Sequence, residues 1–346
     1  MGLPMSGTAL GFEAARMSKT TYEDVVQRAK KFVKNALDIT RNIKAEEIPA
    51  YMGKESFGDA DILLMCSEVE WEGLCATVQN TFTHHKRNGS VISFGMYGDT
   101  GEIHQVDLIY GGDNGTDFWC AYDYYAWNDL GNLVGRIADR LGFKYGHDGL
   151  RYIIRDPEHE TQVICDLNIS KDSTWIHEFL GFQVDGKFAV MSFETKEDIF
   201  KYVASSTYFH PDIFLLENRN YKARVRDAKR ATYMEFLEWC KNNEFQNVIE
   251  IDSSDLFRIR AYKLGEGLRS AGLATMIAYH DAQLLHGKRM FSKFLLNGKL
   301  VSEWTGKTGV ELGQQMQTIR NSLNDDQIIA LGSRVKETVL SILERK

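Results

Sequence analysis

Two carboxylates one residue apart, Asp59 and Asp61, open an apolar run in the segment Gly53-Lys-Glu-Ser-Phe-Gly-Asp-Ala-Asp-Ile-Leu-Leu64. In a strand, residues i and i+2 project from the same face, so this pair sets two negative charges side by side. At about 4 Å and an effective dielectric of about 20, their repulsion is about 4 kcal/mol. Such a pair persists if it faces water, shares a proton or binds a cation, and the third option carries chemistry. A third acid, Asp107, lies inside the apolar run Gln105-Val-Asp-Leu-Ile109. If the two strands are neighbours, three carboxylates converge in the way a pair of Mg²⁺ (or Mn²⁺) ions requires. Hard cations take carboxylate oxygens, and two bridged ions can activate an attacking oxygen and stabilise a leaving pyrophosphate. The plainer readings are a solvated turn for Asp59 and Asp61 and an Arg or Lys partner for Asp107.

The elements that must position these acids follow from periodicity. Apolar residues at helical spacing from Tyr22 to about Ile39 predict a helix with Lys and Arg on its other face, and residues 69–86 read as a second helix. Ser90–Tyr97 and Glu102–Tyr110 read as a hairpin turned by Gly98-Asp-Thr-Gly101. An aromatic-rich segment, Asp117–Trp127, leads into a helix over 128–141 that stops at Gly142. Residues 144–195 read as short strands between turns. Thr195 then N-caps a helix with acids in its first turn, and the chain is mostly helical from about 216. With 346 residues, several subdomains are expected.

Composition narrows the classes. A net charge of −7 lacks the overall basic signature of a nucleic-acid coat, although a local basic patch remains compatible with an enzyme of nucleic acids. Five cysteines without a CxxC suggest neither a zinc ribbon nor a disulfide framework, and reduced thiols imply a cytoplasmic setting. No apolar run is long enough to span a membrane, so no membrane partner is expected. Met1-Gly-Leu-Pro-Met-Ser6 formally fits an N-myristoylation pattern, but matches this short arise readily by chance. The histidines, His84-His85 and His177 among them, show no metal spacing.

The segment Gly53–Leu64 resembles the Gly-x-x-Ser-x-Gly-Asp-x-Asp-Val-Leu-Leu palm strand of the DNA polymerase beta superfamily of nucleotidyltransferases, particularly the family X polymerases. The resemblance implies that Asp59 and Asp61 ligate both metals and that Asp107, in Val106-Asp107-Leu108, helps activate a primer 3′-hydroxyl. It continues in order through the aromatic run before Asn128, through Leu141-Gly142-Phe143, and through Phe193-Glu-Thr-Lys-Glu-Asp-Ile-Phe200, which is similar to a thumb helix start. It implies a nucleotide site drawn from Gly53, Lys54, Ser56, Tyr124, Tyr125 and Asn128. Two departures stand out. Ile48-Pro49-Ala50-Tyr51-Met52 occupies the place of the family's phosphate-holding Gly-Ser helix start, and Ala126-Trp127 replaces its second Gly-Ser dipeptide, near the sugar. Lys44 or Lys54 could stand in as phosphate contacts. Leu296-Asn-Gly-Lys-Leu-Val301 with Gly309-Val-Glu-Leu-Gly313 is also similar to the C-terminal segment of bacterial tRNA nucleotidyltransferases and poly(A) polymerases. The plainer reading of that tail is a loop and a helix start.

A basic cluster runs from Arg219 to Arg230. Arg226, Lys229 and Arg230 would share one helix face suited to phosphates, or else form a solvated face, and Arg224 is a further candidate nucleic-acid contact in the same cluster. Tyr124 and Tyr125 could stack a base or pack in a core. The expectation is therefore an α+β protein. It has an N-terminal arm (1–44), a nucleotidyltransferase palm with a mixed sheet (45–143), a small thumb-like region (144–215) and a helical C-terminal domain (216–346). The expected activity is metal-dependent nucleotidyl transfer from a nucleoside triphosphate to a DNA or RNA 3′ end. The alternatives are transfer to a small molecule or protein, or a degenerate palm that only binds nucleic acid.

Overall fold

A mixed five-stranded sheet carries the acids. The computed structural model describes residues 9–12, 14–37, 43–157, 159, 161–184, 192–245 and 251–344; the myristoylation pattern lies outside them. The chain begins with β1 (Met17–Ser18), α1 (Lys19–Ala36), β2 (Lys44–Glu47), β3 (Ser56–Phe57) and β4 (Asp59–Met65). It continues through α2 (Glu68–Thr81), β5 (His85–Asn88), β6 (Val91–Tyr97) and β7 (Ile103–Tyr110). The sheet order is β2-β4-β7-β6-β5, with β4 and β7 parallel and the other neighbours antiparallel. Ile62, Leu63 and Leu64 are fully buried, so β4 is apolar on both faces and belongs in the middle of the sheet.

Alternation along the strands sorts the two faces. Ala60, Ile62 and Leu64 of β4 and Val106 and Leu108 of β7 pack under α1 and α2, while Leu63, Met65 and Ile109 pack with Phe118 and Ala121. The last two lie on α3 (Gly115–Tyr125), which is followed by α4 (Leu130–Arg140). By the period of two, Asp59, Asp61 and Asp107 therefore project to the α3 side.

The β6–β7 hairpin forms as the sequence predicts, with Tyr97 opposite Ile103. The helix over 69–86 is shorter than predicted, because Phe82 is extended, accepts no further turn and packs its ring on Phe94 at 4.3 Å. His85–Asn88 then forms an exposed edge strand, and its charged residues suit an unpaired edge. α4 stops as predicted. Gly142 takes φ +88°, and the amides of Gly142 and Phe143 donate to Asp139 and Ala138, closing a Schellman turn.

After β8 (Lys144–Gly146) come β9 (Gly149–Arg155) and β10 (Val163–Ser170). A helix then appears where strands are predicted: α5 (Ser173–Phe179), capped by Asp172, which accepts from the Trp175 amide at 3.0 Å. Thr195 caps α6 (Lys196–Ala204) in a reciprocal capping box with Asp198. α7 (Tyr221–Asp227), α8 (Ala231–Asn242) and α9 (Ser253–Ala271) follow.

Two units divide the chain: Met1–Arg151 with Ile169–Gly267, and Tyr152–Asn168 with Leu268–Lys346. The second contains α10 (Leu273–Leu295), α11 (Gly298–Thr305), α12 (Gly309–Ser322), α13 (Asp325–Leu331) and α14 (Val335–Glu344) around a core of Leu296, Val301, Ile319, Ile328, Val335 and Val339. Within the tail motif, Leu296 and Val301 are core residues and Asn297 caps α11. The mixed sheet and the helical C-terminal region make this an α+β protein. No helix among the described residues is long and apolar enough to cross a membrane.

Two glycines of α4 should respond oppositely to a methyl group. A Cβ on Gly131 would meet the Tyr124 carbonyl oxygen at 2.1 Å, whereas one on Gly135 finds nothing closer than 3.6 Å. Gly131→Ala is expected to cost about 2 kcal/mol or more, and Gly135→Ala to gain roughly 0.5–1 kcal/mol from helix propensity. Urea unfolding of both variants checks the pair of signs.

Candidate active site

Strand register brings the three acids together. In the parallel β4–β7 ladder Asp61 lies directly opposite Asp107 and Asp59 opposite Gln105. On the other side of β7, Ser93 pairs with Asp107 and Gly95 with Gln105. Two adjacent rows on the α3 face thus read Asp61–Asp107–Ser93 and Asp59–Gln105–Gly95. All three acids are half-buried.

Their electrostatics reflect that crowding. Burial raises Asp61 well above the usual carboxylate range, and the charges of Asp59 and Asp107 raise it further. Burial pushes Asp107 up to about 6, with the Ser93 hydroxyl opposing and Asp59 adding to the rise. Asp59 is also raised by burial, while Lys54 and Arg16 pull it back. Lys54 is itself lowered by burial and partly restored by Asp59 and Asp61. Three carboxylates that resist ionising together, beside one half-buried lysine, form a donor set that fits hard divalent cations.

Gln105, which sequence reasoning did not single out, ties this centre to the N-terminal segment. Its amide nitrogen donates to both Asp107 oxygens at 3.0 and 3.1 Å, and its oxygen accepts from the Ala9 amide at 3.0 Å. Among the described residues, no group of three or more His, Cys, Asp or Glu side chains is arranged as it stands to hold a metal ion.

A cleft runs beside the acids as two adjoining cavities of about 470 and 670 Å³. Lys54, Asp59, Asn128, Asp129, Arg230 and Thr232 line both. The first also takes in Asp61, Tyr22, Tyr125 and the Ile48–Ala50 stretch, and the second takes in Ser56, Lys196 and Lys229. The wall between α3 and α4 is an unusual turn, in which Trp127 and Asn128 both have positive φ, +63° and +60°. Two successive non-glycine residues in that region cost roughly 1–2 kcal/mol each. The turn is held by the Trp127 amide donating to Pro49 O at 2.7 Å, the Asn128 side-chain oxygen accepting from the Tyr51 amide at 3.4 Å, and Trp127 against Phe193.

The other sequence-predicted residues divide. Lys54, Ser56, Tyr125, Asn128, Lys229 and Arg230 line the cleft. Tyr125 lies parallel to His147, and Ser56 accepts from Arg16 Nε at 2.9 Å. Gly53 is instead pinned to the Phe193–Glu194 segment, its amide donating to Glu194 O at 2.9 Å. Tyr124 packs against Tyr125 and Tyr145. The shared helical face of Arg226, Lys229 and Arg230 does not form, because α7 ends at Asp227 and Arg230 precedes α8. Asp227 is fully buried and accepts from both Arg219, whose side chain is largely buried, and Arg226, whose side chain stays about half exposed. Arg224 is exposed outside the cleft lining, and Arg230 pairs with Asp129. The helical spacing concealed the break, and an isolated acid among six cations was the available sign of an internal ion cluster.

No protein-family model matches this chain, and no curated protein matches it.

The raised Asp107 sets a pH-dependent stability. Between the ordinary carboxylate range and about 6, the folded protein holds a proton that the unfolded chain releases, so stability falls as pH rises through that window. In metal-free buffer, Asp107→Asn should therefore be more stable than wild type at pH 7.5, by on the order of 1–2 kcal/mol. The difference should close by about pH 4. Denaturant unfolding at the two pH values measures it.

Proposed function

We propose that this protein is a metal-dependent nucleotidyltransferase that carries nucleotides from a nucleoside triphosphate to a nucleic-acid 3′ end. The observation that carries the reading is the row Asp61–Asp107 with Asp59 beside it, three mutually repelling carboxylates lining or adjoining a cleft. Asp59 and Asp61 would hold both divalent cations, and Asp107 would complete the ligand set nearest the attacking hydroxyl. When bound, such cations activate the attacking oxygen and stabilise the leaving pyrophosphate. The chain's own groups supply position: the strained Trp127–Asn128 turn and Tyr125 form the wall against which a nucleotide lies. Phosphoryl transfer depends mostly on such positioning and on charge. All five cysteines are free thiols, which fits a reducing compartment such as the cytoplasm.

A second reading, in which the acceptor is a small molecule or a protein, draws on one observation. Arg219 and Arg226 are engaged with Asp227, leaving fewer cations from that segment to follow a nucleic-acid backbone.

Label transfer from each nucleoside triphosphate, with Mg²⁺ or Mn²⁺, to DNA and RNA primers with and without template tests the proposal. Asp61→Asn and Asp107→Asn should each lower incorporation by about 10³-fold while the thermal unfolding transition persists. Full activity in either folded variant overturns the assignment. Transfer to a small acceptor but to no primer selects the second reading.

A further inference from the structure

The cleft is anionic at one end and cationic at the other. Beside Asp59, its larger cavity is lined by five cations, Arg16, Lys54, Lys196, Lys229 and Arg230. Two acids, Asp129 and Glu235, share that lining, the first paired with Arg230 and the second with Lys196 at 2.5 Å. Counting Asp59 as well, five positive charges face three negative ones. Lys54 is half-buried, with Nζ 4.7 Å from the Phe57 ring centroid, between the acids and the other cations.

The backbone nearby has few donors left to offer an anion. The amides of Ile48, Tyr51, Met52, Gly53 and Lys54 donate respectively to Asp61 O, the Asn128 side chain, Phe193 O, Glu194 O and Tyr51 O. Pro49 has no amide hydrogen. The usual device for holding phosphates, a fan of free amides at a helix start, is therefore absent from 48–54. The side-chain cations around the cavity converge from four places: the segment before β1, the loop before β3, the start of α6 and the α7–α8 junction. The first residues of α8, Ala231 and Thr232, line the same cavity at a helix start without a side-chain cap.

We propose that this cationic end is a polyphosphate subsite, which takes the two outer phosphates of a nucleoside triphosphate through Lys54, Lys196, Lys229 and Arg230. The inference rests on the nucleotidyl-transfer reading for the identity of the ligand. Within the lining shared by the two cavities, Lys54, Asp59 and Asn128 would then lie nearest the innermost phosphate. A triphosphate suits the feature better than a nucleic-acid backbone does. The cations gather around one half-open cavity of about 670 Å³, a volume on the scale of a compact polyphosphate.

Isothermal titration of the full chain with inorganic tripolyphosphate, without divalent cations, tests the subsite separately from the chemistry. Wild type should bind, and Lys196→Ala/Lys229→Ala should lose at least tenfold in affinity. Lys229→Arg, which keeps the charge, should bind like wild type. Asp61→Asn should bind as well as wild type or better, because it removes a nearby negative charge without touching a cation. A single-stranded oligonucleotide is the competing source of phosphate. If it binds and loses affinity in the double variant while tripolyphosphate never binds, the proposal is overturned. It is likewise overturned if the folded double variant binds tripolyphosphate as tightly as wild type. Tripolyphosphate binding that needs Lys196 and Lys229 in a protein that transfers no nucleotide would uphold the subsite and refute the transfer reading alone.

Discussion

Like-charge repulsion on one face of a sheet is the constraint around which this protein is organised. Three carboxylates stand in two adjacent rows because β4 and β7 run parallel and in register. Parallel neighbours need a long crossover, here filled by α2 and the strands that follow it. The hydrophobic term that holds the arrangement comes from elsewhere on the same strands: Ile62, Leu64, Val106 and Leu108 under α1 and α2, and Leu63, Met65 and Ile109 under α3. The acids thus occupy the half-buried end of a strand pair whose remainder is dry. That is why burial is the largest influence on each of them. An arrangement that raises the proton affinity of three neighbours at once opposes stability, and such arrangements concentrate at functional sites.

The same economy shapes the cleft. Lys54 sits close enough to be felt by Asp59 and Asp61, so it links an anionic centre to a cationic cavity. The cations beyond it are oriented by partners that are themselves part of the scaffold: Arg16 by Ser56, Lys196 by Glu235 and Arg230 by Asp129. Ion pairs this exposed contribute little to stability. Their effect here is geometric, holding long side chains around one volume.

Asp59 and Asp61 were legible as a pair because a strand's period of two is strict, whereas Asp107 joins them only because β4 and β7 are neighbours in register, which the sequence left as a condition. The hairpin turn, the Gly142 stop and the Thr195 cap were legible for the same reason, since each depends on local chemistry. What depends on distant partners was not. Nothing near Phe82 shows that its ring will meet Phe94 and end α2 early. Asp227 stands out as the single acid in its basic segment, but nothing near it shows which two arginines it will draw in once buried. Gly53 belonged to a recognisable segment, yet its neighbour across space, Glu194, decides what it does. Arg16 and Lys196 reach the cleft from distant parts of the unit's sequence, and only the folded chain brings them to Lys54.

The Trp127–Asn128 turn shows how such long-range contacts can override local preference. Bulky residues avoid positive φ, and the sequence Ala126-Trp127-Asn128 offers no glycine to relieve it. The conformation persists because bonds and packing from two separate segments hold it: Pro49 and Tyr51 through the backbone, Phe193 through its ring. Those same segments are the ones that use up the amides of 48–54. A single set of contacts therefore removes backbone donors from the cleft and sets Asn128 and Asp129 into its wall, with Asp129 orienting Arg230. The contacts that hold the strained turn also occupy the Tyr51 amide and bring Asp129, the partner of Arg230, into the cleft wall.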